Sequence, residues 1–330
     1  MNIGWIAASI APLLVSWIVI GLLRRSRFAN LLVDVPNERS LHIAATPRVG
    51  GVGVMLGALP ALACAGDPAI AILAGCAAGL ALVSLADDIR SLPIAVRLPA
   101  HFAAAAVAIL AIGGPAAARD GLDVVEAAVA LLALAWMTNL YNFMDGSDGL
   151  AGGMAVAGFG AMAVAATLAH AWPLAFSCAA IVSACIGFLA YNFPPARVFL
   201  GDAGSVPLGF LAGALGLFGT LIGAWPVALP VIAFSPFIAD ASATLARRAI
   251  HGEEFWRAHR THYYQRLVLA GWSRRRLAFS AYALMLAAGA SAVAARAMEP
   301  AGQFAIIAGW AVIYATLFIA IERRERQAAT

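Results

Sequence analysis

Residues 69–90 read AIAILAGCAAGLALVSLADDIR, eighteen residues without a charge that run into two adjacent aspartates, Asp87 and Asp88, and then Arg90. As a helix rising ~1.5 Å per residue, the apolar part crosses most of a ~30 Å hydrocarbon core, so it reads as a membrane span that ends in charge. Comparable runs recur at about 3–23, 49–66, 95–113, 122–138, 151–169, 172–191, 206–221, 224–246, 277–296 and 302–321. With a mean hydropathy of +0.88 and 12% charged residues, the chain is excluded from the soluble globular class, whose charged share is about 25%. The expected fold is all-α, a polytopic integral membrane protein with about 11 transmembrane helices.

The basic residues orient those helices. All 21 are arginine, and with eleven spans nineteen of them fall in loops of one face or in the tail, against Arg119 and Arg296 on the other. The positive-inside rule then puts the N-terminus outside, the C-terminus in the cytoplasm and the first span in place as a retained anchor. This bias also accounts for the net charge of +4 without a nucleic-acid partner. Residues 1–330 read as a single membrane domain whose polar loops, 24–48, 87–94, 139–150, 192–205 and 247–276, share the cytoplasmic face. Four cysteines, Cys64, Cys76, Cys178 and Cys185, fall in apolar segments and read as small hydrophobes.

Five aspartates stand in three of these loops, and charge is costly beside a bilayer unless it faces water, a partner or a metal. Asp87 and Asp88 lie at a helix C-terminus, where the helix dipole is already negative, so capping does not explain them and a cation, Mg²⁺ or Arg90 and Arg97, should compensate. Asp145 and Asp148 lie in the 139–153 segment with Asn139, Asn142 and several glycines, a set of hard oxygen donors suited to Mg²⁺ and phosphate; for Asp148 alone, N-capping the next span is an equally good account. In the 192–205 loop Ser205 and Pro207 suffice to start a helix, which leaves Asp202 between glycines as a candidate metal ligand. Arg39, His42 and Arg48 in the first loop are snorkelling interfacial residues or phosphate neutralisers. His259 and His262 sit in a basic, aromatic stretch that packs on the membrane surface or contacts a diphosphate. Asp240, inside the ninth span, reads as a partner for an inside arginine or as a substrate contact.

In chain order these loops spell Asp-x-Pro-Asn-x-Arg-Ser-x-His from Asp34, Thr-Pro-Arg-x-Gly-Gly from Thr46, the Asp87-Asp88 pair, Asn-Phe-Met-Asp-Gly-x-Asp-Gly-Leu-Ala from Asn142, Asn-x-Pro-x-Ala-Arg-x-Phe-x-Gly-Asp-x-Gly-Ser from Asn192, and the histidine loop. Together they closely resemble the polyprenyl-phosphate N-acetylhexosamine-1-phosphate transferases, the membrane family that includes the muramoyl-pentapeptide transferase of peptidoglycan synthesis. The resemblance implies an enzyme of the bacterial inner membrane with a cytoplasmic site, moving a sugar 1-phosphate from a UDP-activated N-acetylhexosamine to undecaprenyl phosphate and releasing UMP. It implies Mg²⁺, with Mn²⁺ as a substitute, held by Asn142, Asp202 and Asp88. It gives Asp87, Asp88, Asp145 and Asp148 catalytic roles, the pair deprotonating or orienting the lipid phosphate, with a covalent carboxylate intermediate as the rival route. Substrate contacts fall to Arg39, His42, Arg48, Arg97, Asn139, Asn192, His259 and His262. Asp-Asp-Ile-Arg and His-Arg-Thr-His replace the lysine and the histidine run of the muramoyl-pentapeptide branch, which points to the branch that initiates O-antigen, lipopolysaccharide and other cell-wall polysaccharides. Partners implied are the two substrates, the bilayer and, beside a monomer, a second copy in a homodimer.

Two other classes compete. An ion-coupled secondary transporter should carry acids near the bilayer midplane and repeat symmetry, whereas these acids lie at helix ends and no internal repeat is visible. A CDP-alcohol phosphotransferase should read Asp-Gly-x-x-Ala-Arg, but Asp145-Gly146 is followed by Ser147-Asp148-Gly149.

Overall fold

A computed structural model describes residues 3–36, 44–113, 123–254 and 259–329, with side chains from 10 to 325 within those ranges. Apolar runs become helices because a backbone without water must bond within its own segment. The helices are α1 (Ile3–Leu23), α2 (Gly50–Ala63), α3 (Pro68–Arg90), α4 (Ile94–Gly113), α5 (Val124–Phe143), α6 (Leu150–Leu168), α7 (Trp172–Asn192), α8 (Asp202–Leu221), α9 (Ala228–Ala233), α10 (Ser235–Ile250), α11 (Tyr263–Leu269), α12 (Arg274–Ala295) and α13 (Pro300–Ala329). Among the described residues, eight are long and apolar enough to cross a membrane: α3 to α8, α12 and α13. The chain is therefore an all-α membrane protein.

Two expected spans take other forms. The second shrinks to α2, whose 14 residues rise only about 21 Å. The ninth is broken into α9 and α10 at Phe234, because Pro236 in the first turn of α10 has no N–H to donate and its ring would collide with the preceding turn. The eighth starts earlier than expected: α8 begins at Asp202 with Gly201 as its N-cap, so Ser205 lies inside the helix.

Helix α8 is the axis of the fold, with 78% of its most apolar window buried, whereas α13 is peripheral at 11%. It packs against α3 and α5, while α6 packs on α7 and α12, and α1 with α2 closes on α7. Small residues permit the closest approach: a Cβ on Gly51 would stand 2.3 Å from the backbone nitrogen of Gly204, so α2 and α8 touch backbone to backbone. At that crossing Gly50 and Gly51 donate to the carbonyls of Phe199 and Leu200 at 2.9 and 2.7 Å, and Phe199 donates to Pro47 at 2.9 Å. A two-residue antiparallel pair, β1 (Val33–Asp34) with β2 (Thr46–Pro47), sets Asp34 beside Thr46. These bonds lay the 192–201 loop and the Thr-Pro-Arg segment over the C-terminal end of α3.

Candidate active site

Three loops meet at one guanidinium. Arg48, just after β2, places Nη2 2.5 Å from Asp34 Oδ1 and Nη1 3.5 Å from Asp88 Oδ1. The other Asp88 oxygen accepts the backbone N–H of Ala203 at 3.2 Å, so the C-terminal end of α3 is joined to the first turn of α8. Gly201 makes this junction fit: its φ is +74°, and a Cβ there would lie 3.0 Å from Arg48 Cβ and 3.1 Å from Asp88 Oδ2. Asp202, the first residue of α8, is thereby held beside Asp88. Asn142, in the last turn of α5, accepts from Ser205 Oγ at 2.8 Å and also hydrogen-bonds the Asp202 carboxylate.

Asp145 completes the cluster from the loop after α5. Burial pushes its carboxyl well above the usual range, and the charges of Asp202 and Asp88 push it further, with Arg48 opposing. Four carboxylates, Asp34, Asp88, Asp145 and Asp202, thus crowd around a single arginine, and such a cluster is short of positive charge. Hard oxygen donors in this state fit a divalent cation such as Mg²⁺. Among the described residues no three His, Cys, Asp or Glu side chains close to ligating geometry, so the fit lies in the donor chemistry and the charge deficit rather than in a closed cage.

Asp87 faces the other way. Its oxygens accept Leu92 N–H at 2.6 Å and Arg97 Nη1 at 2.9 Å, so of the two arginines expected to compensate the pair, Arg97 does so and Arg48, not Arg90, serves Asp88. Asp87, Arg97, His101, Asn139, Asn142 and Asp202 form the polar end of a groove of about 470 Å³. Apart from Ser84 its remaining walls are apolar, from Leu98 and Phe102 on α4 to Trp136 on α5 and Leu245 on α10. A charged group at the polar end and a hydrocarbon chain along the walls would both be matched.

Other expected residues are engaged with the chain itself. Asn192 accepts from Gly149 N–H at 2.8 Å and donates to Val198 O at 2.9 Å, tying two loops together. Asp148 does not cap α6: with left-handed Gly149 at the N-cap it lies outside the helix, accepts Ala196 N–H at 2.9 Å and meets Arg274 at 3.4 Å. Among the described residues, Asp240 pairs with no arginine. It accepts from Thr244 Oγ1 and His262 Nδ1 at 3.2 Å each and from the N–H groups of Tyr263 and Tyr264 at 3.0 Å each, so it caps the start of α11. His262 is consequently buried, its ring stacked on Phe143 at 6.4 Å and lying 4.9 Å from that of His259. Burial, then His262, Arg248 and Arg247, lower the His259 imidazole to about 4, which keeps it neutral at physiological pH. Arg39 and His42 lie outside the described residues.

Several contributors escaped the sequence reading. Asp34 as the partner of Arg48, Ser205 as the partner of Asn142, and His101 in the groove carry no local signal. Tyr264 is the same case, its hydroxyl donating to Phe143 O at 3.2 Å and so fixing the end of α5 that bears Asn142.

Comparison with known proteins supplies the family. The glycosyl transferase family 4 model matches residues 70–220. An undecaprenyl-phosphate alpha-N-acetylglucosaminyl 1-phosphate transferase of Yersinia pestis is 30% identical over 263 residues, 74% of this chain and 71% of the relative. The chain belongs to glycosyl transferase family 4. A probable undecaprenyl-phosphate N-acetylglucosaminyl 1-phosphate transferase of Bacillus subtilis (strain 168) is 26% identical over 82% of this chain and 79% of its own. A decaprenyl-phosphate N-acetylglucosaminephosphotransferase of Mycolicibacterium smegmatis is 28% identical over 95% and 86%. The segment matched by the family 4 model holds Asp87, Asp88, Asn142, Asp145 and Asp202, whereas Arg48 and the His259–His262 pair lie beyond it.

Proposed function

We propose that this family 4 enzyme transfers a sugar 1-phosphate of the N-acetylhexosamine type from a UDP-sugar to undecaprenyl phosphate, giving the lipid diphosphate sugar and UMP at the cytoplasmic face of the bacterial inner membrane, within a single membrane domain. The observation that carries this reading is the continuity of the apolar groove with the Asp87–Arg97 pair and the Asp88, Asp145 and Asp202 cluster: an oily carrier with a phosphate head, and a diphosphate that needs its charge screened, meet at one place. Relatives named for undecaprenyl- and decaprenyl-phosphate acceptors and an N-acetylglucosamine donor support it.

In this mechanism the acceptor phosphate is drawn to Arg97, which Asp87 holds at 2.9 Å so that the guanidinium stays at the polar end of the groove. One acceptor oxygen forms a bond to the sugar-bearing phosphorus of the donor, the bond to the UMP oxygen breaks, and UMP leaves with the electron pair. Asp88, within reach of both Arg48 and the Ala203 N–H, holds the first turn of α8 and hence Asp202 in register. Asp202, Asp88 and Asn142 would hold Mg²⁺ or Mn²⁺, which when bound screens the two anionic substrates from one another. His259, neutral, serves as a hydrogen-bond partner for the donor rather than as a cation. Asp148 and Asn192 act by positioning the loops that carry this set. Cell-envelope polysaccharide initiation is the pathway that uses such a product.

The test is purified protein with undecaprenyl phosphate, Mg²⁺ and a panel of UDP-N-acetylhexosamines, 6-deoxy sugars included, scored for UMP. Release with at least one donor, lost on chelation and restored by Mg²⁺ or Mn²⁺, is expected. Folded protein that releases UMP with none of them refutes the reading.

A further inference from the structure

A second phosphate-matched cavity lies away from the groove, where the end of α1 meets the end of α7. It measures about 450 Å³; Trp17, Ile18 and Leu22 form an apolar wall, Arg24, Arg25 and Arg197 a basic one, and among the described residues no carboxylate lines it. The guanidinium carbons of Arg24 and Arg197 stand 5.2 and 5.6 Å from the centre of the Tyr191 ring. That ring is fixed: its hydroxyl donates to Trp17 O at 3.1 Å, and a Cβ on Gly21 would reach within 2.8 Å of the same oxygen. Two like charges are thus held over one aromatic ring, where each gains from the ring quadrupole while repelling the other. Arg24 Nε is buried and has no hydrogen-bond partner among the described residues. An anion would supply the missing acceptor and the missing charge. Trp17, Ile18 and Leu22 are exposed on the outer face of α1, directly below the arginines, where hydrocarbon chains run.

We propose that this cavity binds the headgroup phosphate of an anionic glycerophospholipid, with its acyl chains against Trp17, Ile18 and Leu22. None of Asp87, Arg97 or Asp202 lines it, so it is a separate site from the substrate groove. The occupant is a lipid rather than a free anion because the basic wall is continuous with a lipid-facing one, so headgroup and chains are satisfied together. The inference rests on the membrane reading of the chain, not on the reaction proposed above.

Native mass spectrometry of the full chain in detergent, titrated with phosphatidylglycerol or phosphatidylcholine, tests it. Wild-type protein is expected to bind phosphatidylglycerol more tightly. An arginine near an anionic headgroup is worth about five-fold in binding, so Arg24→Gln with Arg197→Gln should weaken phosphatidylglycerol about 25-fold and leave phosphatidylcholine unchanged. Arg27→Gln, which removes a charge three residues on that does not line the cavity, should have no effect. Should the double variant lose its folded elution profile and helical circular dichroism, the single variants are read instead, with about five-fold expected for each. The proposal is overturned if the Arg24 and Arg197 variants bind phosphatidylglycerol within two-fold of wild type, if Arg27→Gln weakens it equally, or if inorganic phosphate displaces it, which would make the cavity a free-anion site.

Discussion

Asp240→Asn changes one atom and removes one charge, and its consequence can be worked from the bonds. Oδ1 accepts from Thr244, His262 and Tyr263, while Oδ2 accepts from Tyr264 at 3.0 Å. An Asn side chain can reproduce the Oδ1 set, but its amide then points a donor at the Tyr264 N–H, and every remaining bond loses its charge assistance. A charge-assisted bond is worth about 1.5–3 kcal/mol and a buried donor left without an acceptor costs about 1–3 kcal/mol, so the start of α11 should be destabilised by about 2–4 kcal/mol. The rest of α11 stays tethered, because Arg266 pairs with Glu325. Opening is therefore local, and it releases His262, His259 and the Tyr264 hydroxyl that holds the end of α5. When opening is fast relative to cleavage, proteolysis tracks the open population, so tryptic cutting after Arg260 should accelerate about 30- to 800-fold while the helical circular dichroism is retained. UMP release should fall in parallel. A variant cut within about three-fold of the wild-type rate would show that Asp240 does not hold this segment.

Asp202→Asn should lower UMP release at least about 100-fold without loss of helical signal, since it removes a charge from the buried cluster proposed to hold the cation; near-normal turnover at saturating Mg²⁺ would remove Asp202 from that role. Arg97→Ala should raise the KM for undecaprenyl phosphate at least about ten-fold more than that for the UDP-sugar, as steady-state titration of each substrate will show, because Arg97 borders the groove and not the Arg48 cluster. For His259 the folded value of about 4 lies below the ordinary 6.5, so the unfolded chain takes up the proton first. Its stabilising contribution is full above about pH 6.5 and is lost as pH falls toward 4, and His259→Gln should flatten that acid limb of a thermal-melt profile.

Much of the fold was legible because each apolar run must satisfy its own backbone in lipid, which makes a span a local property. The runs became α3 to α8, α12 and α13 with ends shifted by a few residues. Even the division of the ninth span was written in Pro236, although its apolar composition masks the break. The site was legible as a list of residues and not as an arrangement. Asp88 and Ala203 are 115 positions apart, and no spacing rule relates them. Asp148 and Asp202 look alike in sequence, each an acid beside glycines before a helix, yet one is absorbed by Ala196 and Arg274 and the other stands in the cluster.

The sequence by itself determined a helical membrane protein with its clustered aspartates in the loops between spans, because hydrophobic length and the cost of charge in a bilayer are read residue by residue. Only the tertiary structure decided which of those acids face one another. That choice depends on how closely the helices approach, as where Gly51 meets Gly204, and a contact across packed backbones is a property of two distant segments at once.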